Sequence, residues 1–225
     1  MVKEVRIHIE GGGDSKNQKS SLRQGFSKFF KELVNETKSK KIKCNIIIII
    51  CGTRNHAFRD FKNALESHPD AFNILLVDAE ARIIKNSPWE HLKLRDNWDK
   101  PTEVNDDNCH LMVQTMEAWF IADIDALKAY YRQGFKVSGI PKTPHVETIA
   151  KDDLERILRI ATANTTKGEY HKINHASELL GKIDANKVRQ ASPYCDRIFK
   201  TIMDVLKITP TKHKHIKPSH LCASA

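Results

Sequence analysis

Nothing in this sequence is long and apolar enough to cross a bilayer. The longest apolar run, Ile46 to Cys51, falls far short of the ~20 residues that a spanning helix needs, so no membrane association is expected. The amino terminus, MVKEVRIHIEGGGD, alternates charged with β-branched residues and has neither an apolar core nor a small-residue cleavage site. No signal peptide is therefore expected, and the expected compartment is the cytoplasm. Cysteine is scarce: the five residues Cys44, Cys51, Cys109, Cys195 and Cys222 contain no CxxC pair, which argues against a disulfide framework or a zinc ribbon. His213, His215 and His220 have no paired cysteine spacing to make zinc ligands of them. The phosphate-binding pattern GxxxxGK is absent, and Lys16 takes the last glycine position of a dinucleotide fingerprint begun by Gly11 and Gly13. A P-loop or an NAD site is not expected on these grounds. No internal repeat or low-complexity tract is present.

What is there is a globular composition. The 225 residues are 40% hydrophobic and 29% charged, which suits a packed core rather than a disordered chain. At roughly 150 residues per domain the length predicts one main domain with an appendage. Lys plus Arg total 37 against 28 for Asp plus Glu, a formal charge of +9. That balance favours polyanionic partners, although the lysines are spread out rather than packed in one tract.

The hydrophobic pattern then alternates between elements. VKEVRIHIE (residues 2–10) reads as a strand broken by Gly11, Gly12 and Gly13. Asp14 and Ser15 are N-cap candidates for one long amphipathic helix running to about Glu36. CNIIIIIC (44–51) lacks alternation, as a strand covered on both faces should. A helix over about 55–67 and a third buried strand, FNILLVD (72–78), follow. Residues 85–108 have no period and read as a functional loop or lid, with Trp89 and Trp98 available for substrate or partner contact and Trp119 assigned to the core. Residues 110–116 read as a fourth strand and 117–132 as one helix, with further helices in DLERILRIA, HASELLGKI and CDRIFKTIMDVLKI. Strands separated by helices of this length predict an α/β fold with a mainly parallel sheet flanked by helices and a carboxy-terminal helical extension. The expected organisation is a catalytic domain over 1–135, a helical extension packed on it over 136–210 and a basic flexible tail over 211–225.

Acids stand where strands end. Glu10 closes the first strand, and Asp78 and Glu80 close the third. In an open parallel sheet ligands bind beyond the carboxyl ends of the strands, and carboxylates gathered there repel one another unless a cation neutralises them. Hard oxygen ligands suit Mg²⁺ or Mn²⁺, which in turn engage phosphate oxygens. Strands also end in acids merely because they end at solvent; it is the combination of EGGGD with DAE that points to a site. Arg54, after the second strand, belongs to the same edge, as a phosphate clamp or as an ion pair that organises the acids. The glycines Gly11 and Gly12 would let substrate come close, and Asp123 is a weaker accessory acid.

The succession IHIEGGGD, a helix, ILLVDAE and then HLMVQTMEAWFIAD resembles the Toprim domain of topoisomerases, primases and OLD-type nucleases. The resemblance implies a Toprim-like fold in which Glu10, Asp78, Glu80 and Glu117 hold metal. Glu80 stands where the usual pattern has Asp, a longer ligand arm. OLD-type enzymes imply a catalytic lysine, for which Lys172 is the first candidate and Lys167 the alternative. The whole chain, with Tyr170, Lys172 and ASPYCDRIF, resembles a bacterial Toprim-like family encoded beside an ATPase, as in antiphage defence systems. What this implies is a Mg²⁺- or Mn²⁺-dependent nuclease acting on DNA or RNA, tRNA included. It would be the effector of a defence system, in complex with an AAA- or ABC-type ATPase, and a homo-oligomer is compatible with it. Two other readings stay open: a non-catalytic nucleic-acid or partner-protein binding module with a degenerate site, and a phosphatase or nucleotidyl transferase on the same metal.

Overall fold

The structure, a computed structural model, describes residues 2–13 and 15–208. The expected tail over 211–225 and the capping role of Asp14 lie outside the described residues. The chain runs β1 (Glu4–Glu10), α1 (Lys16–Phe29), α2 (Lys31–Ser39), β2 (Asn45–Gly52), α3 (Arg54–Ser67), β3 (Phe72–Asp78), α4 (Pro88–Asp96) and β4 (Cys109–Met112). Six helices follow: α5 (Glu117–Ile121), α6 (Ile124–Tyr131), α7 (Lys151–Thr162), α8 (Lys172–Leu180), α9 (Ala185–Ala191) and α10 (Pro193–Val205). The fold is α/β, as the strand and helix periods predict.

All four strands are parallel, in the order β2-β1-β3-β4. From β1 the chain moves out to β2, then returns across β1 to lay down β3 on the other side. The connections after β1 and β3 therefore leave in opposite directions, and a crevice opens between their carboxyl ends, the place where open α/β sheets bind ligands. Glu10 and Asp78 are the last residues of these two strands.

One face of the sheet, through Val5, Ile7 and Ile9, packs under Phe26, Phe29 and Phe30, and the same core takes in Trp119, Leu158, Leu179, Phe199 and Ile202. The carboxy-terminal helices thus share a core with the strands. The other face, through Leu75 and Val77, packs under Phe58, Phe61 and Leu92. A hydrophobic layer on each face explains why β2 and β3 carry uninterrupted apolar runs.

Several elements depart from expectation. The first long helix is two, with the turn at Phe30, and the break lets Phe29, Phe30 and Leu33 all reach the core. Residues 85–108 are not a lid: α4 lies in them, Trp89 and Trp98 are buried, Trp89 Nε1 donates to the Asn105 carbonyl at 2.9 Å, and Trp98 stacks on Phe58 at 4.3 Å. Neither tryptophan is available to substrate. The fourth strand is only Cys109–Met112. The helix expected over 117–132 splits at Asp123, whose buried carboxylate accepts from the N–H groups of Ala126 and Asp184 and pairs with Lys187. Asp123 is a cap and a tie between elements, not an accessory ligand. Helix α9 was not foreseen from the sequence; its seven residues, ANKVRQA, are too short to establish a period.

One close approach sets the position of α8. A Cβ on Gly25 of α1 would lie 2.5 Å from the Ser177 carbonyl oxygen of α8, so only glycine lets the two helices meet at this distance. The substitution Gly25→Ala is expected to cost about 1–3 kcal/mol as an overpacking change, read as a loss of Tm of about 2–4 °C per kcal/mol. A Tm equal to that of the wild type would show that the contact does not hold the helices.

Candidate active site

The glycine turn comes first. Gly11, Gly12 and Gly13 all have positive φ, at 127°, 81° and 55°. The turn folds back on the end of β2, where Gly11 N–H donates to the Gly52 carbonyl at 2.8 Å. A Cβ on Gly12 would meet Ile50 at 2.9 Å. These glycines serve the backbone first, and in doing so they keep side chains out of the space above Glu10.

Glu10 Oε2 accepts from Arg54 Nη1 at 2.9 Å and from the Asp78 N–H at 3.3 Å. Both bonds fall on the same oxygen. Burial raises the Glu10 pKa, and Arg54 opposes the rise. Arg54 is the first residue of α3 and is heavily engaged: its Nε and Nη2 form a two-pronged pair with Asp96 at 2.9 and 2.7 Å, and Nη1 also donates to the Asp78 carbonyl at 2.5 Å. Its guanidinium lies 5.2 Å from the Trp98 ring centroid. Of the two roles open to it from the sequence, this geometry is that of the ion pair which organises the acids.

Asp78 is buried, with Oδ1 accepting from the Met116 N–H at 2.9 Å and Oδ2 lying 3.6 Å from Lys172 Nζ. Its pKa rises to about 7, chiefly from burial and further from Glu117, Glu10 and Glu80, against the pull of Lys172. Glu80, two residues beyond the end of β3, has a φ of +66°, a conformation that a non-glycine residue seldom takes and that often marks a functional position. The turn brings its carboxylate round to the other two. One oxygen from each of Glu10, Asp78 and Glu80 lies within 4.8 Å of the others. Lys151 and, at 3.8 Å, Arg95 pair with Glu80.

Glu117, the first residue of α5, is outside that group of three. Its buried carboxylate accepts from Tyr170 Oη at 3.0 Å, and Lys172 Nζ stands 3.4 Å away. Lys172 thus bridges Asp78 and Glu117, and the surrounding carboxylates push its pKa up against the effect of burial. Lys167 is elsewhere, over the Tyr130 ring at 4.4 Å, so of the two lysine candidates only Lys172 meets the acids. The sequence did not single out Asp96, Arg95, Lys151 or the bond made by Tyr170. Each lies far along the chain from its partner, and no local motif marks it.

From position 9 to position 203 the sequence matches the family described as Domain of unknown function (DUF4276). The chain belongs to the DUF4276 family. No curated protein and no solved structure matches it. The DUF4276 match begins one residue before Glu10 and ends within α10, so it takes in every residue of the site.

Two cavities flank the acids. One, of ≈ 250 Å³, lies between the glycine turn and α8, over Glu10, Asp78 and Lys172. The other, of ≈ 700 Å³, opens along α7 beside Glu117 and shares Glu80 and Lys172 with the first. The donor set fits a hard divalent cation: three carboxylates in mutual reach, one of them with its pKa raised chiefly by burial and further by the neighbouring acids. No helix is long and apolar enough to cross a membrane among the described residues.

The raised Asp78 pKa has a sign that can be checked. Because the folded value lies above the ordinary 3.8, Asp78 contributes stability that is complete below that value and is lost as pH climbs through about 7. A cation held by these carboxylates would compete with this proton, and the rise in Tm on adding Mg²⁺ or Mn²⁺ would then grow severalfold between about pH 6 and pH 8. In Asp78→Asn the metal-induced rise should be small and flat with pH. A rise that is independent of pH in the wild type would place the cation elsewhere.

Proposed function

We propose that the chain is a Mg²⁺- or Mn²⁺-dependent nuclease of the Toprim type, working in the cytoplasm on DNA or RNA. The observation that carries this reading is the convergence of Glu10, Asp78 and Glu80 within 4.8 Å at the crevice between β1 and β3, with Lys172 3.6 Å from Asp78. Its support from the sequence is the resemblance of IHIEGGGD and ILLVDAE to Toprim motifs.

A divalent cation bound there would polarise a phosphodiester and lower the pKa of an attacking water. Glu10, Asp78 and Glu80 would hold it. Glu10 serves either as ligand or as general base: its Oε1 carries neither the Arg54 nor the Asp78 bond, and its raised pKa suits it to take a proton from water. Lys172, 3.6 Å from Asp78, is set to face negative charge developing on the phosphate. Tyr170 and Lys172 fix the Glu117 carboxylate, and Arg54 fixes Glu10 against Asp78 without facing substrate itself.

The resemblance also supports a role as effector of an antiphage system, held by an AAA- or ABC-type ATPase. That part of the proposal is abandoned if the ATPase encoded beside it does not copurify. A second reading, a binding module without catalysis, is favoured by one observation: every acid of the site already has a cationic partner, Glu80 even two.

Wild type, Glu10→Ala and Asp78→Ala, each with Mg²⁺, Mn²⁺ or EDTA, separate these readings on plasmid DNA and total tRNA, with and without the coexpressed ATPase. The nuclease reading expects metal-dependent cutting that falls by about 10³-fold or more in both variants. Cutting that survives both substitutions would remove it. Nucleic-acid binding that is the same in EDTA as in Mg²⁺, with no cutting under any condition, would establish the module.

A further inference from the structure

We propose that the ≈ 250 Å³ cavity beside the acids is a pocket for one unstacked nucleotide, so that the substrate is single-stranded nucleic acid, or a loop or flipped nucleotide, rather than an intact duplex. This rests on the metal-site reading above and adds the substrate class.

The cavity is two-sided in its chemistry. Its polar side is Glu10, Asp78 and Lys172, the groups able to engage a phosphate directly or through a cation. Glu80, Gln18 and Ser177 add to the polar lining, and the larger apolar part of the wall is Leu22 from α1, Met112 from the end of β4, Met116 ahead of α5 and Ile173 from α8. A nucleotide has the same division, an anionic phosphate joined through its sugar to a flat base. Methionine side chains in particular adapt to an aromatic face.

Size and depth point the same way. The volume lies below the roughly 300 Å³ at which pockets for drug-sized ligands begin, which suits one base with its sugar and no stacked neighbour. The acid at its floor is recessed: the Asp78 side chain is 7% exposed. Phosphates of a duplex lie on its outer ridge, with their bases held in the stack. For a phosphate to reach the floor of this cavity its nucleotide must enter with it, which costs a few kcal/mol from a paired stack and least from a strand already single.

Two further features agree. Ile173 is 58% exposed at the cavity wall, immediately beside Lys172, an apolar surface with no core to serve. The larger cavity along α7 is no polyanion trough: Lys151, Arg156 and Arg159 share it with Asp152, Glu155 and Glu169. A duplex bound through its two phosphate ridges needs a continuous positive surface, and this groove does not offer one.

The test uses the full chain with short fluorescein-labelled single strands of DNA and RNA and their blunt duplexes, measuring anisotropy and cleavage in Mg²⁺ and in EDTA. Two variants alter the cavity: Ser177→Phe, which fills it from a half-buried position, and Ile173→Ala, which strips an exposed wall and leaves the core untouched. Wild type is expected to bind single strands about tenfold tighter than duplexes. Ser177→Phe should abolish that preference, and Ile173→Ala should weaken single-strand binding by several-fold, with the Mg²⁺-induced rise in Tm intact in both. Equal binding of single and double strands, or both variants behaving as wild type, would overturn the proposal. If single strands are preferred, the variants lose the preference and nothing is cut in any metal, the pocket stands and the nuclease reading falls. If duplexes are cut as fast as single strands and Ser177→Phe has no effect, the nuclease stands and the pocket falls.

Discussion

Four carboxylates at the end of a buried sheet must be kept from driving one another apart, and much of the structure around the crevice is arranged to do so. Asp78 has the hardest position, out of water and facing Glu10, Glu80 and Glu117. Uncompensated charge in such a place would either take up a proton or open the fold. The molecule answers with cations drawn from separate elements: Arg54 from the start of α3, Lys172 from the start of α8 and Lys151 from the start of α7. Each is the first residue of its helix.

This arrangement ties distant parts of the chain to one spot. Arg54 binds Asp96 as well as Glu10, so the stretch between β3 and β4 is held to the acid edge as well as to the Phe58–Trp98 stack. Lys172 and Tyr170 bring the carboxy-terminal helices to Glu117. The glycine turn after β1 and the left-handed Glu80 after β3 are local deformations that the same convergence requires. Buried ion pairs of this kind add little net stability; what they supply is a fixed relative position for groups that would otherwise repel.

The sheet was readable in the sequence because its signals are local. Buried strands such as NIIIIICG and FNILLVD announce themselves by uninterrupted apolar runs, and Glu10, Asp78 and Glu80 by standing where those runs stop. The helix count was less readable. A break at Phe30 or at Asp123 changes few side-chain spacings, because both halves still bury apolar residues against the same core. Residues 85–108 read as a loop because α4 buries Trp89, His91 and Leu92 in a pattern with no clean stripe. In the site, the acids were legible and most of their partners were not: Asp96 lies 42 residues from Arg54 and Lys151 lies 71 from Glu80, distances over which only folding decides who meets whom.

The order of these residues along the chain has a consequence for synthesis. Glu10, Asp78, Glu80 and Glu117 all precede Lys151, Tyr170 and Lys172, and chains emerge from the ribosome amino terminus first, folding as they come. Arg54 and Arg95 are made along with the acids, but Asp78 and Glu117 exist before the lysine that lies between them. Until α8 has emerged and settled against Gly25, Asp78 and Glu117 stand without the lysine that bridges them, and the centre becomes whole only with the carboxy-terminal helices. A ribosome-bound chain of this kind carries its acids and lacks the lysine that sits between them.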